Sequence, residues 1–510
     1  MSAAEEKKSE PTGDRGARGA SLALLFVSLS LVTLLSQLNT TVFTPALPVL
    51  VADLDGLDEM PWVIAAYMLA SIPTMPVYGK LSDLFGRRPL LIVSIAAFVA
   101  GSTMGALAPD MGWLIAGRIV QGIGSGGLTV LPAAAMADIL PARRRGFYAG
   151  ILMAVSTLAS LLGPFVGGVL AQGPGWRWTF WINVILGAVA AIGVLVLLKI
   201  PRPRRTEAVR IDVAGMALIS IATTSLALIT IWGGIQYPWT SPMILGLIGL
   251  GVAAVVAFAI VEGRVASPIM PVRLFRDRNF VLTSIASVGI GMQMFATIAY
   301  LPTFLQMTFS LSPAEAGLMM IPMSGGTLLS GTLTGQLVAR TGRYKLYPII
   351  GTLLIAVGMG GLSLLTPQSS LLWVGGSVAL IGLGLGSCFQ NLILIVQNSF
   401  EHAIVGVATA GSSLFRQIGG MFGTSLVGTI FIGGLSALLA ERLPADALDA
   451  LGASPSPEAV RALPEGLRTL VVDSYNDALT PVYLLMVPIV LAATVALSFV
   501  KAKPLAETIA

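Results

Sequence analysis

Residues 79–88 read Gly-Lys-Leu-Ser-Asp-Leu-Phe-Gly-Arg-Arg, and residues 335–344 repeat the frame as Gly-Gln-Leu-Val-Ala-Arg-Thr-Gly-Arg-Tyr. In both copies two glycines bracket six residues and an arginine follows the second glycine. Each copy is a short charged break between two long apolar runs, so each reads as a hairpin between two spanning helices. A charged hairpin of fixed length that recurs in two halves of a hydrophobic chain implies a duplicated helical bundle. Bundles duplicated in this way rock one half against the other, which points to a carrier.

Composition agrees. Of the 510 residues 55% are hydrophobic and 11% charged, against roughly 25% charged in soluble domains. The length accommodates about fourteen spans of roughly 20 residues each. The apolar runs place them at 21–48, 60–79, 89–108, 111–136, 147–171, 177–199, 212–232, 242–262, 280–304, 315–338, 346–366, 371–396, 404–437 and 478–500. The simplest partition is six, two and six: a tail at 1–20, a first six-helix bundle at 21–205 and two inserted helices at 206–265. A second six-helix bundle at 266–500 and a tail at 501–510 complete it. The first twenty residues are polar and mixed in charge, unlike a cleavable signal. The external connection 438–477, rich in Ala, Pro, Asp and Glu, reads as a short amphipathic helix or a loose lid.

Charge placement tests this threading independently, because Lys and Arg gather on the cytoplasmic side. With the N-terminus inside, Arg177, Arg442, Arg461 and Arg468 fall outside, and Arg118 and Arg416 fall within spans. The other 24 of the 30 basic residues lie on inner segments. Both termini are therefore expected in the cytoplasm. One cysteine, Cys388, cannot form an intrachain disulfide, and one histidine, His402, cannot by itself hold a metal. No cofactor, metal, nucleic acid or enzymatic chemistry is expected.

Several motifs carry the functional reading. Asp83 and Arg87-Arg88, flanked by Gly79 and Gly86, stand where a helix meets the inner face. An acid there can pair with a base and cap a neighbouring helix, forming a latch that holds the inner side shut. Basic residues at an inner loop also follow from orientation alone; the acid, the glycines and the second copy favour the latch. In that copy Ala339 replaces the acid, so Arg343 must act differently. In the fourth span Arg118 precedes Gln121-Gly122 and further glycines; a buried guanidinium must face a cavity or a partner unless it snorkels. On the fifth span Gly150, Gly163-Pro164 and Gly167-Gly168 offer a flat, bendable face for close helix packing.

These segments resemble the major facilitator superfamily: 79–88 its signature loop, Arg118-x-x-Gln121-Gly122 its motif linked to proton coupling, and Gly163-Pro164 with its neighbours the motif of its exporters. Trp176-Arg177-Trp178, Trp232-Gly233-Gly234 and Arg416-Gln417 with Gly419-Gly420 resemble the fourteen-helix drug:proton antiporter branch, the multidrug exporters. The resemblance implies an all-α integral membrane fold and multidrug-type efflux by proton-coupled antiport. One departure stands out. Members carry an Asp in the first span, but residues 38–48 read Leu-Asn-Thr-Thr-Val-Phe-Thr-Pro-Ala-Leu-Pro. Asn39 keeps the hydrogen-bonding shape and cannot titrate. A polar contact between Asn39 and Arg118 is expected.

No Asp or Glu falls mid-span by these boundaries. The stand-ins for the missing acid are Asp53 and Glu315, near outer ends. The polar groups expected in the cavity are Asn39, Gln121, Gln293, Tyr300, Gln390, Asn391, Arg416 and Gln417. Methionines 292, 294, 319, 320 and 323 suit a re-packing surface, though such residues more often face core or lipid, and Pro302 and Pro322 are expected to bend their spans. A desolvated cationic drug needs a buried carboxylate, so the residues lean toward neutral, zwitterionic or anionic amphipaths while the resemblance leans toward cations. The expectation is a monomeric exporter of lipophilic small molecules in a bacterial cytoplasmic membrane. The alternative is an exporter of neutral or anionic metabolites or lipids with atypical or no proton coupling. A proton-pumping redox subunit would need buried Lys, Glu and His across the membrane, and the spans carry no mid-depth Lys.

Overall fold

Helical capping signals recur at the start of apolar runs and set the element boundaries. Asp110 accepts from the Trp113 N–H, Asp212 from Gly215, Ser241 from Ile244 and Asp277 from Phe280, each satisfying a first-turn donor. The computed structural model describes residues 12–54, 59–140, 142–198, 212–234, 236–265, 268–401, 404–444, 460 and 463–504. Its helices, in chain order, are α1 (Thr12–Asp53), α2 (Met60–Phe85), α3 (Arg87–Ala106), α4 (Met111–Ile139), α5 (Ala142–Gln172) and α6 (Trp178–Leu197). There follow α7 (Val213–Trp232), α8 (Pro242–Glu262), α9 (Arg273–Arg276), α10 (Arg278–Thr308), α11 (Pro313–Leu318) and α12 (Ile321–Thr341). The last are α13 (Leu346–Ser363), α14 (Leu371–Gln397), α15 (Val405–Arg442) and α16 (Glu465–Ser498).

Among the described residues twelve helices are long and apolar enough to cross a membrane. The expected count is two higher. Apart from the short α9 and α11, the helices outside the twelve are α5 and α12, which are 31 and 21 residues long. Residues 147–171 of α5 are an uncharged apolar run, whereas α12 is rich in Gly, Ser and Thr and packs against α5, so the low hydropathy of α12 reflects a helix–helix seam. Helices α1 to α6 pack as one set and α10 with α12 to α16 as another; α7 and α8 pair with each other beside α2. The two sets meet along α5–α12 and α2–α15.

The repeated hairpins have a common backbone cause. Gly86 ends α2 at φ 93° and Gly342 ends α12 at φ 69°, the left-handed region where a side chain is costly. Both are the second glycine of their copy. Pro322 sits in the first turn of α12, where its missing N–H has no intrahelical partner to lose, so it starts that helix. Pro302 is interior to α10. The connection expected at 438–477 is shorter than that, because α15 runs to Arg442 and α16 begins at Glu465; most of the lid segment, 445–459, lies outside the described residues, as does His402.

Candidate functional site

At the end that the charge pattern assigns to the cytoplasm, here the latch end, Asp83 reaches across the seam. Its two oxygens accept the Gly406 N–H at 3.2 Å and the Val407 N–H at 2.9 Å, the first free donors of α15. The carboxylate thus caps a helix of the opposite half, where backbone donors and the helix dipole both favour negative charge. Arg87 pairs with Asp83 at 2.5 Å and with Asp138 of α4 at 3.0 Å, and it also donates to the Ser82 hydroxyl. The Arg87 and Asp83 side chains are only 3% and 4% exposed. Buried charges persist when paired and hydrogen-bonded, and this pair is both.

The remaining signature residues have separate tasks. Gly79 lets α15 approach: a Cβ there would meet the Ala410 Cβ at 2.6 Å. Arg88 donates to the Leu195 carbonyl at 2.5 Å, tying α3 to the end of α6. Arg343 is exposed beyond α12, and its backbone N–H donates to Thr341. Other contacts also join the halves between the latch end and mid-depth. A Cβ on Gly150 of α5 would stand 3.2 Å from the Thr332 Cα of α12. Gln417 donates to the Met75 sulfur at 3.1 Å, and Gln397 reaches the Ala133 carbonyl at 3.4 Å.

Toward the opposite end Arg118 is 3% exposed inside the first half. It donates to the Val63 carbonyl at 3.1 Å and to Gln121 Oε1 at 2.7 Å, and its guanidinium lies 4.5 Å from the Phe43 ring centre and 4.4 Å from that of Tyr67. Two aromatic faces thus stabilise the cation where the expected carboxylate is missing. Asn39 does meet Arg118, but through Gln121: Asn39 Oδ1 accepts from Gln121 at 2.9 Å and from Asn183 at 3.1 Å. Gln121 also donates to Ser102 at 2.8 Å. The Asn39 amide nitrogen and the Asn183 amide oxygen are buried without partners. Asn183, Ser102 and Tyr67 complete this network, and sequence reasoning does not single them out as its members. A polar residue inside an apolar run is the available signal for Asn183.

The exporter glycines divide by position. Gly167 abuts Val42, whose carbonyl carbon a Cβ would approach to 2.8 Å, and Gly163 abuts the Thr41 Cβ at 2.5 Å, so α5 and α1 touch at backbone distance. A Cβ on Gly168 would meet nothing within 4 Å, and the helix runs on through Pro164. Gln293 is buried within the second half, donating to Thr297 at 3.0 Å and to the Met359 sulfur at 3.6 Å. Asn391 is buried too and donates to the Ser387 carbonyl at 2.8 Å. Gln390, Gln417, Tyr300 and Arg416 are half-buried; the Tyr300 hydroxyl donates to the Thr424 carbonyl at 3.0 Å.

The two stand-in acids have local partners. Asp53 accepts from Trp176 and from Arg177, both at 2.9 Å. These hydrogen bonds, Trp176 first, hold its carboxyl below the usual carboxylate range, so it stays ionised at neutral pH. Glu315 closes a capping box with Ser312 at the start of α11.

Two related helix bundles, closed at one end by a carboxylate that caps the facing half, define a multi-pass membrane transporter of duplicated design. A family model described as the Major Facilitator Superfamily matches residues 29–424, and the chain belongs to that family. It is a transporter and not an enzyme. Among its relatives, an MFS-type transporter of Mycobacterium tuberculosis is 35% identical over 95% of this chain and 70% of its own length. The multidrug transporter protein MdtP of Bacillus subtilis is 34% identical over 82% of this chain and 77% of its own. The proton:xylose symporter XylE superposes with a TM-score of 0.61 at 19% identity, covering 95% of this chain and 96% of that one, which is a likeness of fold.

Proposed function

We propose that the chain is a secondary active exporter of lipophilic or amphipathic small molecules, a multidrug-type efflux carrier that works by alternating access and draws on the proton gradient. The observation that carries this reading is Asp83 capping α15 across the seam. A cap of that kind is made or broken as a unit, which is what a two-position gate requires. The names of relatives such as MdtP support export of drug-like cargo, and the backbone-close contact of α5 with α1 supports the exporter motif. In this reading α5 and α12 also span, giving fourteen crossings, with both termini in the cytoplasm of a bacterial cell and the monomer as the working unit. Cargo enters from the cytoplasm or inner leaflet while the latch is open and leaves on the far side after it closes.

Asn39 favours a second reading, export of neutral or anionic metabolites or lipids with atypical or no proton coupling. Its oxygen is committed to Gln121 and Asn183, and an amide cannot exchange a proton in this range. Flux in proteoliposomes separates the two. With a neutral lipophilic dye and an imposed pH gradient, the wild type is expected to move dye faster with the gradient than without it. Asn39→Asp is expected to steepen that dependence, since it puts a titratable group on the Gln121–Arg118 relay. Dye flux that ignores the gradient in the wild type selects the second reading; no flux under any gradient removes the exporter reading itself.

A further inference from the structure

Arg416 lies eleven residues beyond Val405, the start of α15. That is roughly 17 Å along the axis at 1.5 Å per residue, near the middle of a hydrocarbon layer about 30 Å thick. Its guanidinium is half-buried and stands 5.0 Å from the Phe389 ring centre of α14. Among the described residues no carboxylate lies within ion-pair distance of it. The acids nearest the helix ends lie elsewhere: Asp83, Asp138, Asp212 and Glu262 toward the latch end of their helices, and Asp53, Asp110 and Glu315 at helix starts or ends on the opposite side. The neighbouring Gln417 already touches Met75 across the seam between the halves, and half-buried Gln390 adjoins Phe389. An uncompensated cation at membrane mid-depth is costly and persists where it faces a water-filled path or a mobile counter-ion. Arg118 in the first half likewise has aromatic rings, the Val63 carbonyl and the Gln121 amide as its partners.

We propose that Arg416 is the cargo's charge-recognition site and that the preferred cargo is an amphipath bearing a carboxylate or similar anionic group, its apolar body against Phe389. This rests on the exporter reading and adds the substrate's charge to it. A guanidinium fork matches a carboxylate bidentately, and the Phe389 ring offers an apolar surface for the stem beside it. A cationic amphipath meets the reverse at Arg416: a like charge and, among the described residues, no carboxylate within ion-pair distance.

The test uses the purified full-length chain in nanodiscs and three dansyl-labelled undecyl probes that differ only in the head group: carboxylate, methyl ester and trimethylammonium. Fluorescence titration is expected to give affinity for the carboxylate about tenfold to a hundredfold above that for the ester, with the ammonium weakest. Arg416→Gln should collapse the carboxylate-to-ester ratio toward one, and Arg416→Lys should keep part of it. Equal or tighter binding of the ammonium, binding of none of the probes, or an Arg416→Gln ratio equal to wild type would each overturn the assignment. If Arg416→Gln does not yield monodisperse protein, the wild-type ranking of the three probes alone decides. The head-group ranking is a binding measurement, so it is read separately from the flux that tests export.

Discussion

Asp83→Asn is expected to lower efflux about tenfold per folded molecule while leaving membrane insertion intact. The amide can still accept one of the two α15 N–H groups, but it cannot pair with Arg87. Hydrogen bonds to a charged group contribute about 1.5–3 kcal/mol, and every 1.4 kcal/mol is a factor of about ten in an equilibrium. The weakened cap on α15 bears on the latched state, where Asp83 touches the other half, whereas the Arg87 pair lies within the hairpin and is lost in either state. The population therefore shifts toward the open-latch state, and each cycle stalls at re-closure. Arg87 keeps Asp138, so the hairpin should hold its shape. Dye efflux normalised to protein, together with thiol labelling at the latch end, checks both effects. Unchanged turnover with unchanged labelling would remove the latch from the mechanism.

Gly167→Val is expected to cost more than about 3 kcal/mol of stability and to abolish recovery of folded protein, whereas Gly168→Val one residue on should stay within about 0.5 kcal/mol. The contrast is geometric. At Gly167 the new side chain would meet the Val42 backbone at 2.8 and 3.0 Å, and backbone cannot swing aside as a flexible side chain can. At Gly168 the same atoms enter open space. Both residues belong to one sequence motif, so the pair tells packing from composition. Thermal unfolding followed by size-exclusion chromatography reads it, and similar melting of the two variants would contradict the α1–α5 contact.

The bundle and its duplication are legible in the sequence because their determinants are local: apolar runs of spanning length, and glycines whose positive φ breaks the chain at Gly86 and Gly342. Asp83 as a helix cap is also legible, since an acid at a helix end needs donors nearby. Its donors are not, because Gly406 and Val407 contribute backbone N–H groups from 323 and 324 residues away and leave no side-chain mark. Hydropathy under-reads α12, whose small and hydroxylated residues pack against α5. Asn39 and Arg118 are expected to touch, and Gln121 intervenes because the guanidinium turns to the Val63 carbonyl and two rings. Gln293 and Asn391, expected to face the cavity, lie inside the second half with local partners.

Alternating access is tested most directly by locking the seam. Gly150→Cys and Thr332→Cys, in a Cys388→Ser background, place two thiols across the α5–α12 contact, where a Cβ on Gly150 lies 3.2 Å from the Thr332 Cα, which keeps the two Cα atoms inside the limit of about 7 Å for a disulfide. Oxidation is expected to stop dye flux in proteoliposomes, and reduction to restore it. Full cross-linking with undiminished flux would show that transport proceeds without the halves parting at this end.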